Sequence, residues 1–177
     1  MIQKILITTP IFPPEGRGPA TYTHQLVSKL AGKQVSAKVI TFTQNPVEVE
    51  GVEVVSIPTG GGMVGRQTKL IKKIWAMGKN ADVIYAQGAD VVGLASILVG
   101  KLLHKPVVIK VVGDLAVEME RDFHKKGILI KWLYFVTRIS LNLADKIVFP
   151  AGHLQETICN KYKIDKNKTE VIYNAVN

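Results

Sequence analysis

A loop rich in glycine and proline, residues 10–19, contains the residue types that bind phosphate groups. Gly16 and Gly18 allow a ligand to approach the backbone closely, and Arg17 between them can form paired hydrogen bonds with phosphate oxygens. Pro19 suits the first turn of a following helix, whose amino end attracts anions. We therefore predict that Gly16, Arg17 and Gly18 bind phosphate, with an ordinary glycine-containing turn as the alternative.

The loop differs from two well-known nucleotide-binding sequences. A dinucleotide-binding fingerprint requires glycine at the position of Thr21 and an acidic residue at the end of the second strand, where the chain has Thr41, Phe42 and Thr43. A P-loop requires Gly-Lys followed by Ser or Thr, and this loop lacks that sequence. Both types of nucleotide site are therefore disfavoured.

A basic amphipathic segment, residues 66–79, could contact a membrane. Its basic residues include Lys69, Lys72 and Lys73, it contains no acidic residue, and its apolar residues recur at helical spacing. Such a helix can lie on anionic lipid with its lysines at the headgroups, so we predict a membrane surface at these three lysines. The alternative is an amphipathic helix that packs its apolar side on a sheet.

The composition indicates a folded protein with an anionic partner. Of the 177 residues, 47% are hydrophobic and 21% are charged, and 23 Lys and Arg against 14 Asp and Glu give a formal charge of +9. Nucleic acid is the weakest candidate partner, because no recognition motif accompanies the charge. With Cys159 as the only cysteine, and no secretory signal or transmembrane segment, we expect a cytoplasmic protein, peripheral at the inner face of the membrane.

Apolar runs alternate with helical patterns along the chain, which is typical of α/β proteins. We predict a Rossmann-like open parallel sheet with helices on both faces. The predicted strands are residues 5–9, 37–42, 53–58, 83–86, 106–112, 146–149 and 170–173, and the predicted helices are residues 20–30, 65–77, 91–104, 128–143 and 153–161. Ligands of such sheets bind beyond the carboxyl ends of the strands, which is where the glycine loop lies.

Four stretches, in this order, resemble glycosyltransferase family 4, the retaining, metal-independent enzymes of the GT-B fold. They are FPPEGRGPATY (12–22), ADVIYAQG (81–88), KPVVIKVVGD (105–114) and ADKIVFP (144–150). The ending VIYNAVN (171–177) resembles the segment that leads into the second domain of these enzymes. The resemblance therefore covers essentially the whole chain.

The resemblance implies one half of a two-domain enzyme. Residues 1–168 would form the acceptor-side, Rossmann-like amino-terminal domain, and residues 169–177 the last strand and the start of a linker to a donor-binding domain that this chain lacks. The enzyme would transfer a hexosyl group from a nucleotide-sugar donor to a hydroxyl of a saccharide or lipid-linked acceptor, without a metal or other cofactor. The isolated chain would be inactive. The competing hypothesis is a stand-alone nucleotide- or anion-binding module of the same fold.

The resemblance also suggests roles for single residues. Gly16, Arg17 and Gly18 would face the donor diphosphate, with Arg17 standing where glycine is usual in the family. Val112 occupies a position where many members have a histidine that contacts the donor sugar.

We predict Asp114 and Glu118 as catalytic residues, because either carboxylate could orient an acceptor hydroxyl and, in a helix, the two would share a face. An acidic first turn of an ordinary helix is the alternative. Asp90 is interpreted as the cap of the helix that begins at Val91. The predicted acceptor-binding residues combine amide, hydroxyl and glycine positions at strand and helix ends: Thr21, Tyr22, Gln87, Gly88 and Gly113.

Overall fold

The computed structural model describes residues 2–33, 35–58, 60–122 and 127–174. Its strands are β1 (Lys4–Thr9), β2 (Ser36–Thr41), β3 (Glu53–Ser56), β4 (Val83–Gln87), β5 (Val107–Lys110), β6 (Lys146–Phe149) and β7 (Thr169–Val171). They form one sheet in the order β3-β2-β1-β4-β5-β6-β7, and every neighbouring pair is parallel. The direction of chain progression reverses between β1 and β4, which is where open α/β sheets bind ligands.

Six α-helices connect the strands in the described part of the chain. They are α1 (Gly18–Ala31), α2 (Gly62–Gly78), α3 (Val91–Leu103), α4 (Leu115–Asp122), α5 (Ile128–Leu143) and α6 (Gly152–Tyr162), and a 3-10 turn spans Lys166–Lys168. Helix α4 was not among the predicted helices. Residues 175–177, part of the predicted linker, lie outside the described residues. Within the described ranges, none of the helices combines the length and the apolar character needed to cross a bilayer.

Alternate residues of the central strands enter hydrophobic clusters on opposite faces of the sheet. Ile7 of β1 belongs to one cluster with Val27 of α1, whereas the neighbouring Leu6 belongs to another with Leu70 of α2 and Leu141 of α5. Right-handed crossovers explain this division, because strand progression in opposite directions places the connecting helices on opposite faces. The predicted open parallel sheet with helices on both faces is therefore confirmed.

Gly100 allows α3 to lie close against β5. A Cβ atom at this position would collide with Cγ2 of Val107 and would lie 3.2 Å from the carbonyl oxygen of Lys105. Gly65 of α2 provides a contrast, because a Cβ atom there would meet no atom within 4 Å. The absence of a side chain is thus a packing requirement at Gly100 but not at Gly65.

We expect Gly100→Ala to lower the free energy of unfolding by about 2 kcal/mol, because the added methyl group forces α3 and β5 apart. Gly65→Ala should raise it by about 0.5 kcal/mol, since alanine favours helix and finds open space here. Urea denaturation of the two variants measures both changes. An equal effect of the two substitutions would be inconsistent with close packing of α3 on β5.

Candidate functional site

A crevice of about 130 Å³ opens at the carboxyl ends of β1, β4 and β5. Residues from three strand-following loops and from α4 and α5 line it: Pro10, Gly88, Ala89, Asp90, Val112, Gly113, Leu115, Glu118 and Thr137. The crevice lies where the strand order reverses, the usual ligand position in such sheets. The structure therefore brings together three of the predicted site residues, Gly88, Gly113 and Glu118.

The Glu118 carboxylate lies against Gly113. A Cβ atom on Gly113 would collide with Oε1 of Glu118, so glycine leaves the space that the carboxylate occupies. Glu118 is exposed and lines the crevice, which makes its oxygens accessible to a ligand hydroxyl. A carboxylate in this setting can accept a hydrogen bond from a hydroxyl and orient its oxygen.

Asp90 adds a second carboxyl group to the crevice. Its Oδ1 accepts a hydrogen bond from the backbone N–H of Val92 at 3.2 Å, so its predicted role as the cap of α3 is confirmed. Burial raises the pKa of Asp90, and the negative charge of Glu118 raises it further, although the bond from Val92 opposes both effects. The crevice thus holds the exposed carboxylate of Glu118 and the half-buried carboxyl group of Asp90, which retains its proton to higher pH than usual.

Asp114 makes its contacts with α6 and does not line the crevice. Its Oδ2 accepts hydrogen bonds from Nζ of Lys161 and from the hydroxyl of Tyr162, both at 2.8 Å. Its Oδ1 accepts from the backbone N–H of Val117 at 3.3 Å. The side chain of Asp114 contacts α6 whereas that of Glu118 lines the crevice, so the two carboxylates do not act at one site. These contacts fasten the start of α4 to α6, and a catalytic role of Asp114 stays a prediction.

The glycine loop enters α1 with its glycines unobstructed. Gly18 is the first residue of α1, and the preceding Arg17 forms no side-chain hydrogen bond to cap the helix. A Cβ atom at Gly16 or Gly18 would meet no atom within 4 Å, and neither residue has a left-handed φ. Packing against other described segments and a left-handed φ therefore do not require glycine at these positions, although Pro19 disfavours a side chain at Gly18 in its helical conformation. A ligand that lies against the backbone would need the space that glycine leaves there.

Contacts with residues following β2 fix the position of this loop. The backbone N–H of the buried Phe12 donates to Oγ1 of Thr43 at 2.7 Å, and the Thr43 hydroxyl donates to the Glu15 carboxylate at 2.6 Å. The backbone N–H of Val47 donates to the carbonyl oxygen of Pro13 at 2.9 Å. The exposed glycines therefore follow a segment that is held in place.

The predicted acceptor residues Tyr22 and Gln87 lie on the opposite face of the sheet, beside α1. Nε2 of Gln87 donates to Oγ1 of Thr23 at 2.8 Å, while its buried Oε1 has no hydrogen-bond partner among the described residues. Thr21 is exposed on α1. The five predicted acceptor residues are thus divided between the crevice, the α1 face of the sheet and the surface.

Sequence reasoning missed Lys110 as a candidate functional residue. Its Nζ lies 3.3 Å from the centroid of the Tyr22 ring. The one available signal was a lysine in an otherwise apolar run, residues 107–112. Within the described ranges, no three His, Cys, Asp or Glu side chains cluster so that they could hold a metal ion.

Comparison with known proteins identifies a family and a shared fold. The family model described as Glycosyltransferase Family 4 matches residues 16–177. No curated protein shows a significant match to the chain.

Solved structures share the fold at low sequence identity. HepE from Anabaena, solved in complex with UDP, is 17% identical with a TM-score of 0.66, and the match covers 98% of this chain and 44% of HepE. Sucrose-phosphate synthase from Thermosynechococcus elongatus is 13% identical with a TM-score of 0.75, covering 99% and 49%. UDP-GlcNAc 2-epimerase from Methanocaldococcus jannaschii, solved with UDP-GlcNAc and UDP, is 17% identical with a TM-score of 0.63, covering 97% and 46%. The chain therefore spans about half the length of these proteins.

Proposed function

The chain belongs to glycosyltransferase family 4, and on this basis we propose that it is the amino-terminal, acceptor-side domain of a retaining glycosyltransferase. The observation that carries the proposal is the exposed glycine loop at the start of α1, because a Cβ atom at Gly16 or Gly18 would meet no other segment of the described chain and neither residue has a left-handed φ. In this proposal residues 1–168 form the domain, and residues 169–177 lead to a second domain that holds the nucleotide.

The proposed donor is a nucleotide sugar. Its diphosphate would accept hydrogen bonds from backbone N–H groups at the start of α1 and from the Arg17 guanidinium. These groups would offset the phosphate charge without a metal, as the family resemblance implies. HepE and the Methanocaldococcus jannaschii epimerase were each solved with UDP, so sugars linked to UDP are the first donors to test.

Glu118 would act on the acceptor in the crevice. Its exposed carboxylate would accept a hydrogen bond from the acceptor hydroxyl and direct that oxygen toward the donor sugar. The carboxyl group of Asp90, kept protonated to higher pH, could donate a hydrogen bond to a sugar oxygen. Val112 lines the crevice where many family members have histidine, and its side chain offers only apolar contact.

The fold does not distinguish sugar transfer from epimerisation, since proteins named UDP-GlcNAc 2-epimerase share it. Incubation of the complete protein with a panel of nucleotide sugars, with and without candidate acceptors, tests the proposal. Acceptor-dependent release of nucleoside diphosphate supports transfer. Interconversion of the sugar without an acceptor would indicate an epimerase, and binding without either reaction would favour a stand-alone binding module.

We also propose that α2 contacts a membrane carrying a lipid-linked acceptor. Leu70 and Ile74 are buried against the sheet, but Ile71 and Trp75 on the outer side of α2 are 37% and 38% exposed. Packing of α2 within the fold therefore leaves part of the Ile71 and Trp75 side chains accessible. Lys72 and Lys73 are exposed on the same helix, and Nζ of Lys69 donates to the carbonyl oxygen of Gly60 at 2.9 Å. An apolar strip beside exposed lysines suits an anionic lipid surface.

Replacing Lys69, Lys72 and Lys73 with Glu should abolish sedimentation of the protein with acidic vesicles. Each lysine near the surface of anionic lipid contributes about 1 kcal/mol to the free energy of membrane binding. Rising salt should weaken the binding of the parent protein, because it screens this attraction. The matched control carries the same substitution at three exposed lysines outside α2: Lys29, Lys33 and Lys163. Neutral vesicles test the charge requirement. If the parent protein ignores acidic vesicles at low salt, or the α2 variant binds as the control does, α2 is a solvated surface.

A further inference from the structure

Lys110 is a buried cation whose partners in the described part of the chain are neutral. It lies at the carboxyl end of β5 and is 1% exposed. Its Nζ contacts the face of the Tyr22 ring, 3.3 Å from the centroid, and donates a hydrogen bond to Oδ1 of Asn174. No described residue, in the four ranges between residues 2 and 174, forms an ion pair with it.

Lys161, another lysine that lies on an aromatic ring, can be compared with Lys110. Nζ of Lys161 lies 4.3 Å from the centroid of the Tyr134 ring, and the Asp114 carboxylate pairs with it at 2.8 Å. Lys110 also lies on an aromatic ring, but no carboxylate of the described ranges pairs with it. Burial lowers the pKa of Lys110, although its contact with Tyr22 opposes the change. A buried ammonium without a counter-ion weakens a fold, so stability does not explain this residue.

Two neighbouring groups could also take part in binding. Gln87 pairs with Lys110 across the two strands, so both side chains project to the α1 face, where the buried Oε1 of Gln87 has no partner among the described residues. Asn174 is exposed. It follows Ile172, whose backbone N–H forms the last described backbone hydrogen bond to the sheet, at 2.9 Å. The Asn174 side chain can therefore move away from Lys110 without breaking the sheet.

We propose that Lys110 is an oxyanion-binding subsite in which the Asn174 side-chain oxygen occupies the place of a ligand oxygen. The ligand is a sugar or nucleotide that carries a carboxylate or phosphate. One anionic oxygen would replace Oδ1 of Asn174 on the ammonium, and a neighbouring hydroxyl of the ligand would donate to Oε1 of Gln87. In the proposed enzyme this subsite would select acidic substrates. The inference goes beyond the proposed function, because binding to the subsite does not require sugar transfer.

The Tyr22 ring provides a local signal for the test. The 177-residue chain, with ¹³C-labelled tyrosines, is titrated with D-glucuronate against D-glucose, and with UDP against uridine, so that a carboxylate source and a diphosphate source are separated. We expect the Tyr22 ring resonances to shift with at least one anion and not with its neutral counterpart. The Tyr134 ring, beside the paired Lys161, should not shift.

Lys110→Met removes the ammonium and keeps an unbranched apolar side chain, so it should weaken anion binding by about tenfold or more. Its resistance to urea should be equal to or greater than that of the parent, because an unpaired buried charge is removed. Asn174→Ala, an exposed substitution that keeps Lys110, should strengthen binding because the competing oxygen is lost. No anion-dependent shift of Tyr22 in the parent, unchanged affinity in Lys110→Met, or weaker binding in Asn174→Ala would each overturn the proposal.

Discussion

In the proposed two-domain glycosyltransferase, Gly18→Val should lower kcat by about 100-fold or more, because even a small displacement of the donor diphosphate would misalign the reacting atoms. The branched valine side chain would occupy the open space beside α1 that the proposed donor diphosphate would need. The free energy of unfolding should fall only modestly, because a Cβ atom at Gly18 meets no other described segment within 4 Å, whereas the following Pro19 disfavours a side chain in the helical conformation. Steady-state kinetics and urea denaturation of the same variant separate these two effects.

Gly152→Val is the control for valine at the start of a helix, although Gly152 precedes His153 and not a proline. Gly152 is the first residue of α6, as Gly18 is of α1, and a Cβ atom there also meets nothing within 4 Å. Its substitution should leave kcat unchanged. An equal loss of activity in both variants would indicate a general effect of valine at the start of a helix. Unchanged kinetics in Gly18→Val would indicate that the loop is an ordinary turn without a role in donor binding.

The two predicted catalytic acids should respond differently to substitution. Glu118→Gln should reduce kcat by about 100-fold without destabilising the domain, because its carboxylate is exposed in the crevice and, in the proposed reaction, would orient the acceptor hydroxyl. Asp114→Ala should lower the free energy of unfolding by about 2 kcal/mol, since it leaves Lys161 and Tyr162 without their shared acceptor. The exposed part of the Lys161 side chain, 31%, keeps this figure below that of a fully buried pair.

Measurement of kcat and of urea unfolding for both variants separates a reacting group from a structural one. Asp114→Asn completes the series, because asparagine keeps an acceptor oxygen and most of the packing. A large loss of kcat in Asp114→Asn with unchanged stability would support a catalytic role of Asp114. Wild-type kinetics in Glu118→Gln would contradict the proposed role of the Glu118 carboxylate in the reaction.

Sequence periodicity was sufficient to predict the sheet and its helices but not α4. Apolar runs and amphipathic patterns are local properties, so the alternation of strands and helices was readable from the chain. Helix α4 is short, and its fully buried Ala116 clusters with Ile130 and Leu133 of α5. Such a helix depends on packing against a distant segment, which local patterns do not report.

The candidate site was predictable at strand ends, but the direction of each side chain was not. Gln87 and Gly88 are consecutive residues, yet the Gln87 amide contacts α1 on one face while Gly88 lines the crevice. Lys110 was hidden in an apolar run, because its partners Tyr22 and Asn174 are distant in sequence. The outer apolar side of α2 also became evident only when Ile71 and Trp75 proved to be exposed.

A comparison of sugar transfer by two proteins decides whether this chain is half of a glycosyltransferase. One protein is the 177-residue chain alone, and the other is the same chain joined to the domain proposed to follow it, each with the same nucleotide sugar and acceptor. We expect glycosylated product, with release of nucleoside diphosphate, only from the two-domain protein, because one domain cannot bring donor and acceptor together. Transfer by the 177-residue chain alone, or no transfer by the two-domain protein with any nucleotide sugar that it binds, would contradict this assignment.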